Sequence, residues 1–166
     1  MNLIIPLLVG LLSWQARNAL RHFLDSKRQY DLARDYADRV GKPLLIVGGP
    51  YGSSPLRQIF RWHSHGAGDV CVDINPGACA GASHAIEADI RDIPLPNKSM
   101  GAVLASHVLE HLPTVADCMQ AIDELERVAD KVYIAWPGKS SVIAWLHPGH
   151  HLWVKEEHGT VTVEQR

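Results

Sequence analysis

The stretch that decides the fold is ADIRDIPLPNKSMGAVLASHVLEHLPTVADCMQAIDELER, residues 88–127. It joins an acidic strand end to an apolar strand, a histidine-bearing loop and an amphipathic helix, in that order. The run AVLA, residues 102–105, predicts a buried strand. From Thr114 to Val128 apolar residues recur every three or four positions, which predicts a helix with one buried face. A strand that leads into such a helix is typical of an α/β fold.

The segments upstream fit the same pattern. Pro43–Val47 (PLLIV) is a continuous apolar run, as expected for a strand buried on both faces, and it leads into the glycine-rich turn GGPYGSSP, residues 48–55. Asp69–Val72 (DVCV) predicts a second strand, which ends at Asp73. Strands that alternate with helices at these intervals predict a mainly parallel sheet covered by helices on both faces.

Two features beyond these strands are suited to a nucleotide. Glycines let the chain turn sharply and let a ligand approach main-chain N–H groups. A carboxylate about 20 residues further on, here Asp73, can accept hydrogen bonds from the hydroxyls of a ribose. Both features also have plainer interpretations. The glycine turn can exist without a ligand, and Asp73 or Asn75 can bond its own backbone ahead of Pro76.

Together these segments resemble the nucleotide-binding half of a class I S-adenosylmethionine-dependent methyltransferase, of the type called methyltransferase 11. The resemblance extends from Pro43 to Pro137, more than half of the chain. Its most specific part is SHVLEHL, residues 106–112, with IPLP before it and ELERV after it. The resemblance implies a Rossmann-like sheet flanked by helices, with a shortened C-terminal part that ends in a brief helix and a hairpin.

The glycine turn departs from the family's G-x-G-x-G pattern. Ile46 stands where the family has an acidic residue, and Pro50 stands at the middle glycine, so that only Gly48 and Gly52 match. These departures keep an alternative open, in which the chain is a non-catalytic binding or scaffold protein with a methyltransferase fold. A nicotinamide-dependent oxidoreductase is a weaker alternative, because the G-x-G-x-x-G spacing is absent.

The resemblance also implies a cofactor, S-adenosyl-L-methionine, and a set of site residues. Those expected to hold the cofactor are Gly48, Gly49, Gly52, Asp73, Ile74, Asp89, Ile90 and Ser106. His107 and His111 are the candidate catalytic residues at the reaction-facing rim, although His107 can also simply pack beneath the cofactor. Methyl transfer from a sulfonium depends chiefly on placing the acceptor in line and excluding water.

The first 24 residues differ from the rest, since Leu3–Trp14 carries no charge and apolar residues continue at helical spacing to Leu24. As a helix, the uncharged part would extend about 24 Å, short of the roughly 30 Å hydrocarbon core. Two interpretations stay open: a helix that lies on the cytoplasmic face of a membrane, and a helix that packs on protein. A second helix is expected from Asp25 to about Val40. We therefore divide the chain into residues 1–24 and a methyltransferase-like domain, residues 25–166.

Composition sets the remaining expectations. With 16 basic and 18 acidic side chains in 166 residues, the net charge of −2 does not indicate a nucleic-acid partner. The expected partners are a small-molecule or lipid acceptor and a membrane surface, and a homo-oligomer is left open. Cys71, Cys79 and Cys118 lack metal or redox spacing and are expected to be reduced.

No metal site is expected from the sequence. The tail histidines in HPGHH, residues 147–151, have no helical i, i+4 pair and no carboxylate at motif spacing. They are expected to form a loop near the mouth of the site. The expected function is therefore S-adenosylmethionine-dependent methyl transfer to a small molecule or lipid, in the cytoplasm or at the cytoplasmic face of a membrane.

Overall fold

The computed structural model describes residues 4–49, 59, 67–79, 82–139, 141–157 and 160–166. The helices are α1 (Ile4–Val40), α2 (Val115–Val128) and α3 (Val142–Leu146), and two 3₁₀ turns span Pro76–Cys79 and Leu109–His111. The strands are β1 (Leu44–Val47), β2 (Val70–Asp73), β3 (His84–Glu87), β4 (Met100–Ser106), β5 (Ala129–Ala135), β6 (Leu152–Glu157) and β7 (Thr160–Gln165).

The first five strands form one parallel sheet in the order β3-β2-β1-β4-β5. Ile46 of β1 lies opposite Cys71 of β2 on one side and Leu104 of β4 on the other. The strand order therefore reverses at β1, and open sheets of this kind bind ligands outside the carboxyl ends of the strands at such a point. We call this side of the sheet the carboxyl edge. The predicted Rossmann-like fold is confirmed.

Helices cover both faces of the sheet. On one face, Ala33 and Ala37 of α1 pack against a buried cluster that includes Leu44 and Leu104. The two alanines are one turn apart and have small side chains, so the helix approaches the strands closely. On the other face, α2 buries an apolar stripe that includes Cys118 and Leu125. This is the stripe that the sequence predicts, and Thr114 caps the helix by accepting a hydrogen bond from the Asp117 N–H.

The N-terminal helix is continuous, and the helix boundary expected at Asp25 is wrong. α1 runs unbroken through Asp25 and Ser26 for 37 residues. Both side chains can cap a helix, but nothing interrupts the backbone hydrogen bonds here, because the chain has no proline or glycine between Leu11 and Val40. A residue that can cap a helix does not by itself begin one. The division of the chain after residue 24 stays a prediction.

The start of α1 is exposed. Of the α1 side chains that the structure describes, only Asn18, Ala33 and Ala37 are buried. Near the other end of the helix, a Cβ added to Gly101 at the start of β4 would contact Val40 and Ala37, so α1 runs antiparallel to the strands. Its apolar first turns, residues 4–14, therefore extend beyond the carboxyl edge. Among the described residues, no helix is long and apolar enough to span a bilayer.

The C-terminal part ends in the predicted hairpin. β6 and β7 pair antiparallel in a sheet of their own, with Val154 opposite Val163. Leu152 and Val154 are buried and join the core cluster on the α2 face of the main sheet. The hairpin thus completes the core instead of extending the parallel sheet.

The expectation that all three cysteines are reduced is wrong. Cys71 on β2 and Cys79 in the first 3₁₀ turn form a disulfide, with their Cα atoms 5.7 Å apart. The 3₁₀ turn brings the chain back beside the strand, which a spacing of eight residues does not reveal. Cys118 is free and buried. Burial raises the pKa of its thiol to about 11, and Glu110 adds to the effect.

We expect Cys79→Ser to lower the free energy of unfolding by about 2 to 3 kcal/mol, the chain-entropy value for a loop of this size. A reductant should lower the wild-type value equally and leave the variant unchanged. Urea unfolding with and without dithiothreitol measures both effects. Cys118→Ala is the matched control and should keep the full response to reductant. A wild-type unfolding midpoint that is insensitive to reductant would contradict the prediction.

Candidate functional site

A cavity of about 250 Å³ opens at the carboxyl edge, where the strand order reverses. We call it the sheet-edge cavity. Its walls come from the ends of β1 and β2, the turn after β3 and the segment after β4. They consist of Val47, Gly48, Val72, Asp73, Ile74, Ala88, Asp89, Ile90, Arg91, Val108, His111, Leu112 and Pro113. Six of the residues predicted for the site are therefore brought together: Gly48, Asp73, Ile74, Asp89, Ile90 and His111.

The remaining predicted residues lie elsewhere. Gly49, Ser106 and His107 do not line this cavity. Ser106 is the last residue of β4 and is 1% exposed, which places it in the wall behind the cavity. Gly52 lies outside the described residues.

The turn after β1 needs its glycines for conformation and for packing. Gly48 and Gly49 have φ values of +92° and +62°, where side chains are disfavoured. A Cβ on Gly49 would lie 2.3 Å from the carbonyl oxygen of Ala78, in the first 3₁₀ turn. The turn after β1 therefore packs directly against the segment that follows Asp73.

The geometry of Asp73 is compatible with both interpretations that the sequence left open, a local turn and a contact with a ligand. Its Oδ1 accepts a hydrogen bond from the Asn75 N–H at 2.8 Å, so the local turn is real. The other oxygen, Oδ2, has no hydrogen-bond partner among the described residues, and the side chain lines the sheet-edge cavity. Asp73 can thus hold its turn with one oxygen and accept from a ligand with the other.

Asp89 is held by Arg91, which sequence analysis did not select. Arg91 Nη2 lies 2.6 Å from Asp89 Oδ2, and Arg91 Nε lies 3.0 Å from Oδ1. The same guanidinium reaches Asp117 Oδ1 at 2.5 Å. The hydrogen bonds from Arg91 lower the pKa of Asp89 from its ordinary value. Asp89 is therefore an ionised acceptor in a fixed position, and a carboxylate retains lone pairs beyond these contacts.

The segments that carry Asp73 and Asp89 are similar to known proteins. A family model described as a methyltransferase domain matches residues 51–131, which include β2, β3, β4 and α2. Residues 51–131, just under half of the chain, thus match a methyltransferase domain, and we call this part the methyltransferase domain. No curated protein matches the sequence.

One solved structure that resembles the methyltransferase domain is a complex between the Haloferax volcanii Trm112 methyltransferase activator and a protein assigned as a methyltransferase. The identity is 19% and the TM-score is 0.38, and the match covers 70% of this chain and 55% of that chain. The present chain thus spans about half the length of the one it matches.

The pair formed by Asp89 and Arg91 gives the methyltransferase domain a pH dependence of known sign. Because the pKa of Asp89 is lowered in the folded state, the pair stabilises the fold above the ordinary pKa of about 3.9. That contribution is lost as the pH falls through the lowered value. Carbon NMR titration of the Asp89 carboxyl should give a pKa below 3.9 in the wild type and a higher one in Arg91→Gln. Arg39→Gln is the control, and a wild-type pKa at or above the ordinary value would contradict the prediction.

His107 directly follows β4 and is not among the residues that line the sheet-edge cavity. Its φ is +55°, and its N–H donates to the Ala135 carbonyl of β5 at 2.9 Å. Its Nδ1 lies 3.4 Å from Oε1 of Glu110, a carboxylate that is 2% exposed. Burial lowers the pKa of His22 on α1, and His107 lowers it further, so these two imidazoles lie near each other. The two candidate catalytic histidines therefore do not share one cavity.

A second cavity, of about 210 Å³, lies between α1 and the end of β5. We call it the α1 cavity. Its lining is largely polar on the helix side and apolar on the strand side. It comprises His22, Asp25, Ser26, Arg28 and Gln29 of α1, and Ile134, Ala135 and Trp136. Sequence analysis did not predict that α1 contributes to a cavity at the carboxyl edge.

The expectation that the tail histidines form no metal site stays a prediction. That expectation considered HPGHH alone, whereas the fold brings His111 beside His147 and His150. One ring nitrogen from each of the three lies within 4.8 Å of the others. The sequence could not show this, because His111 comes from a different segment of the chain.

Proposed function

We propose that the methyltransferase domain transfers a methyl group from S-adenosylmethionine to a small-molecule or lipid acceptor at an interface. The observation that carries the proposal is the sheet-edge cavity, which joins the turn after β1 to two carboxylates, Asp73 and Asp89, at the reversal of the strand order. Ligands of open α/β sheets bind at this point.

The residues present suit the nucleoside half of the cofactor. Asp73 Oδ2 would accept from the ribose hydroxyls, and Asp89 would accept from the adenine amine beside the backbone N–H of Ile90. The flat base would lie between apolar side chains, of which Ile74 is 73% exposed at the cavity wall. An apolar side chain exposed on a cavity wall gains free energy when a ring covers it. The methionine half would lie toward the turn after β1, at Gly48 and Gly49.

When bound, the cofactor supplies an activated methyl group, so that the protein's main task is orientation. Asp73 and Asp89 are each fixed by local hydrogen bonds before any ligand arrives. Such preorganisation lowers the entropic barrier to an in-line reaction. His111 lines the cavity and would contact the acceptor there, whereas His107 would act from the side of the α1 cavity.

The position of α1 favours an amphiphilic acceptor. The exposed apolar turns at the start of α1 extend beyond the same edge at which both cavities open. Ile5, Leu12 and Trp14 are 64%, 67% and 44% exposed. Arg17 and Arg21 follow them, as in a helix that lies at a headgroup surface. We therefore propose peripheral contact with the cytoplasmic face of a membrane, where a lipid or membrane-bound small molecule would reach the α1 cavity.

A non-catalytic binding role is the second candidate. It is favoured by Ile46, which stands where the family has an acidic residue and is fully buried, against the α1 face of the sheet. No carboxylate stands at that position to contact the cofactor, so the cofactor site is reduced relative to the family's pattern. Binding of the cofactor without turnover would support this candidate.

Calorimetry with S-adenosylmethionine and S-adenosylhomocysteine tests the cofactor. Radiolabelled S-adenosylmethionine, incubated with separated lipid and aqueous extracts, then tests transfer and the acceptor class. Binding with transfer supports the enzyme, and binding without transfer to either extract favours the scaffold. Absence of binding to either compound would sink the enzyme and favour the non-catalytic candidate.

Vesicle flotation tests the membrane setting separately. Anionic vesicles should carry the wild-type chain, and Leu12→Glu should weaken the association because it places a charge on the apolar surface. Leu32→Glu is the matched control, since Leu32 is 44% exposed on the same helix but away from its start. Equal flotation of all three chains, or transfer to a soluble acceptor without any flotation, would overturn the membrane part of the proposal.

A further inference from the structure

Three imidazoles converge at the surface beside the sheet-edge cavity. His111 ends the second 3₁₀ turn, and His147 and His150 lie in the loop after α3. The ring centroids of His111 lie 5.4 Å from those of His147 and 4.7 Å from those of His150. The rings of His147 and His150 are stacked, with centroids 4.4 Å apart. We call these three residues the histidine cluster.

Hydrogen bonds in the histidine cluster leave nitrogen lone pairs available. His111 Nδ1 lies 2.8 Å from the carbonyl oxygen of Gly149, which fixes Nδ1 as the donor and leaves the lone pair on Nε2. Metal-bound histidines are usually oriented in this way, by donating their other N–H to a carbonyl or carboxylate. His150 Nδ1 is buried and has no hydrogen-bond partner among the described residues. An unpartnered buried nitrogen costs free energy unless something binds to it.

Charges of both signs lie near the histidine cluster: Arg166 Nη1 donates to the carbonyl oxygens of His147 and His150, and Glu110 is a buried carboxylate. Glu110 is 2% exposed, and neither of its carboxylate oxygens has a hydrogen-bond partner among the described residues. This buried carboxylate, next to His111 in the chain, offers a negative charge near the histidine cluster.

We propose that His111, His147 and His150 form a binding site for a zinc-like divalent transition metal. Three histidines leave the fourth position of a tetrahedral site open to water or another ligand. With Zn–N bonds of about 2.0 to 2.1 Å, the three nitrogens would lie about 3.4 Å apart, so shifts of about 1 Å close the site. The Gly149 N–H competes for His147, since it donates to His147 Nδ1 at 3.2 Å.

The metal would join two parts of the chain that are distant in sequence. His111 lines the sheet-edge cavity, whereas His147 and His150 belong to the C-terminal part. A bound ion would therefore fix the C-terminal loop against the wall of the cavity. This inference does not depend on methyl transfer, since it rests on the three side chains and their surroundings.

Calorimetric titration with Zn²⁺ tests the site on the full-length chain, with any affinity tag removed and after treatment with a chelator. One ion should bind per chain, and Zn²⁺ should raise the thermal unfolding midpoint. Titration with Co²⁺ should give the visible absorption of a tetrahedral complex. His147→Gln and His150→Gln should each weaken binding by more than about 100-fold, above the roughly 10- to 100-fold cost of losing an outer-shell partner.

His151→Gln is the matched control, because His151 is an exposed histidine of the same loop outside the histidine cluster. It should bind Zn²⁺ like the wild type. His147 is exposed, so His147→Gln should fold normally and decides the test even if His150→Gln does not fold. The proposal is overturned if the wild type binds no stoichiometric ion, if His147→Gln binds as tightly as the wild type, or if His151→Gln loses as much affinity.

Discussion

Asp73→Ala should lower the affinity for S-adenosylmethionine and S-adenosylhomocysteine by about 100-fold. Each hydrogen bond to a charged acceptor contributes about 1.5 kcal/mol or more, and a ribose offers two hydroxyls, so the loss is about 3 kcal/mol. The carboxylate lies in the wall of the sheet-edge cavity with one oxygen already held by the Asn75 N–H. Its other oxygen is therefore positioned before the ligand binds, and little reorganisation offsets the gain.

Two variants separate the ligand contact from the local turn. Asp73→Asn keeps an oxygen for the Asn75 N–H but loses the charge, so its affinity should fall between those of the wild type and Asp73→Ala. Glu87→Gln is the matched control, because Glu87 lies opposite Asp73 on β3, is exposed and does not line the cavity. Calorimetry measures all three. Wild-type affinity in Asp73→Ala, or an equal loss in Glu87→Gln, would remove the ribose role.

Gly49→Ala should lower the free energy of unfolding by about 2 to 5 kcal/mol. Two costs add: an L-residue at positive φ costs about 1 to 2 kcal/mol, and overpacking costs about 1 to 3 kcal/mol. The new Cβ would lie 2.3 Å from the Ala78 carbonyl oxygen, and backbone cannot rotate away as a side chain can. Either the turn after β1 or the first 3₁₀ turn must move, and the second of these supports the Asp73 turn.

Gly41→Ala isolates the conformational cost alone. Gly41 has a φ of +66°, close to the +62° of Gly49, but a Cβ there would meet nothing within 4 Å. Its loss should therefore be about 1 to 2 kcal/mol. Urea unfolding of both variants gives the comparison. Equal losses would mean that contact with Ala78 has no part in the stability of the turn.

The sequence predicted those parts of the fold that follow from repeating apolar patterns. The apolar run PLLIV predicted β1, whose four residues are buried, and the stripe from Thr114 to Val128 predicted α2. Asp73 and Asp89 could be placed because strand ends in a parallel sheet meet at one edge. The order of the segments along the chain predicted the position of each carboxylate. The resemblance to methyltransferases predicted its role in binding the cofactor.

The predictions that failed depend on contacts between distant segments or on backbone angles. Cys71 and Cys79 meet because a 3₁₀ turn reverses the chain, which their spacing does not show. The histidine cluster needs His111 beside the C-terminal loop. His107 does not line the cavity that His111 lines, and no residue pattern encodes its positive φ. The contact between Arg91 and Asp89 could have been predicted from the sequence, because a cation two residues beyond a carboxylate can fold back to it.

The length of α1 sets the distance between its exposed first turns and the α1 cavity. A helix of 37 residues extends about 55 Å, and its second half is fixed against the sheet by Ala33 and Ala37. Because no kink interrupts it, α1 is a rigid spacer and not a tether. Whatever contacts its first turns, near Ile5, would hold the α1 cavity at His22 about 25 Å away along the helix axis. The domain would thereby select acceptors by how far they reach from the surface that it contacts.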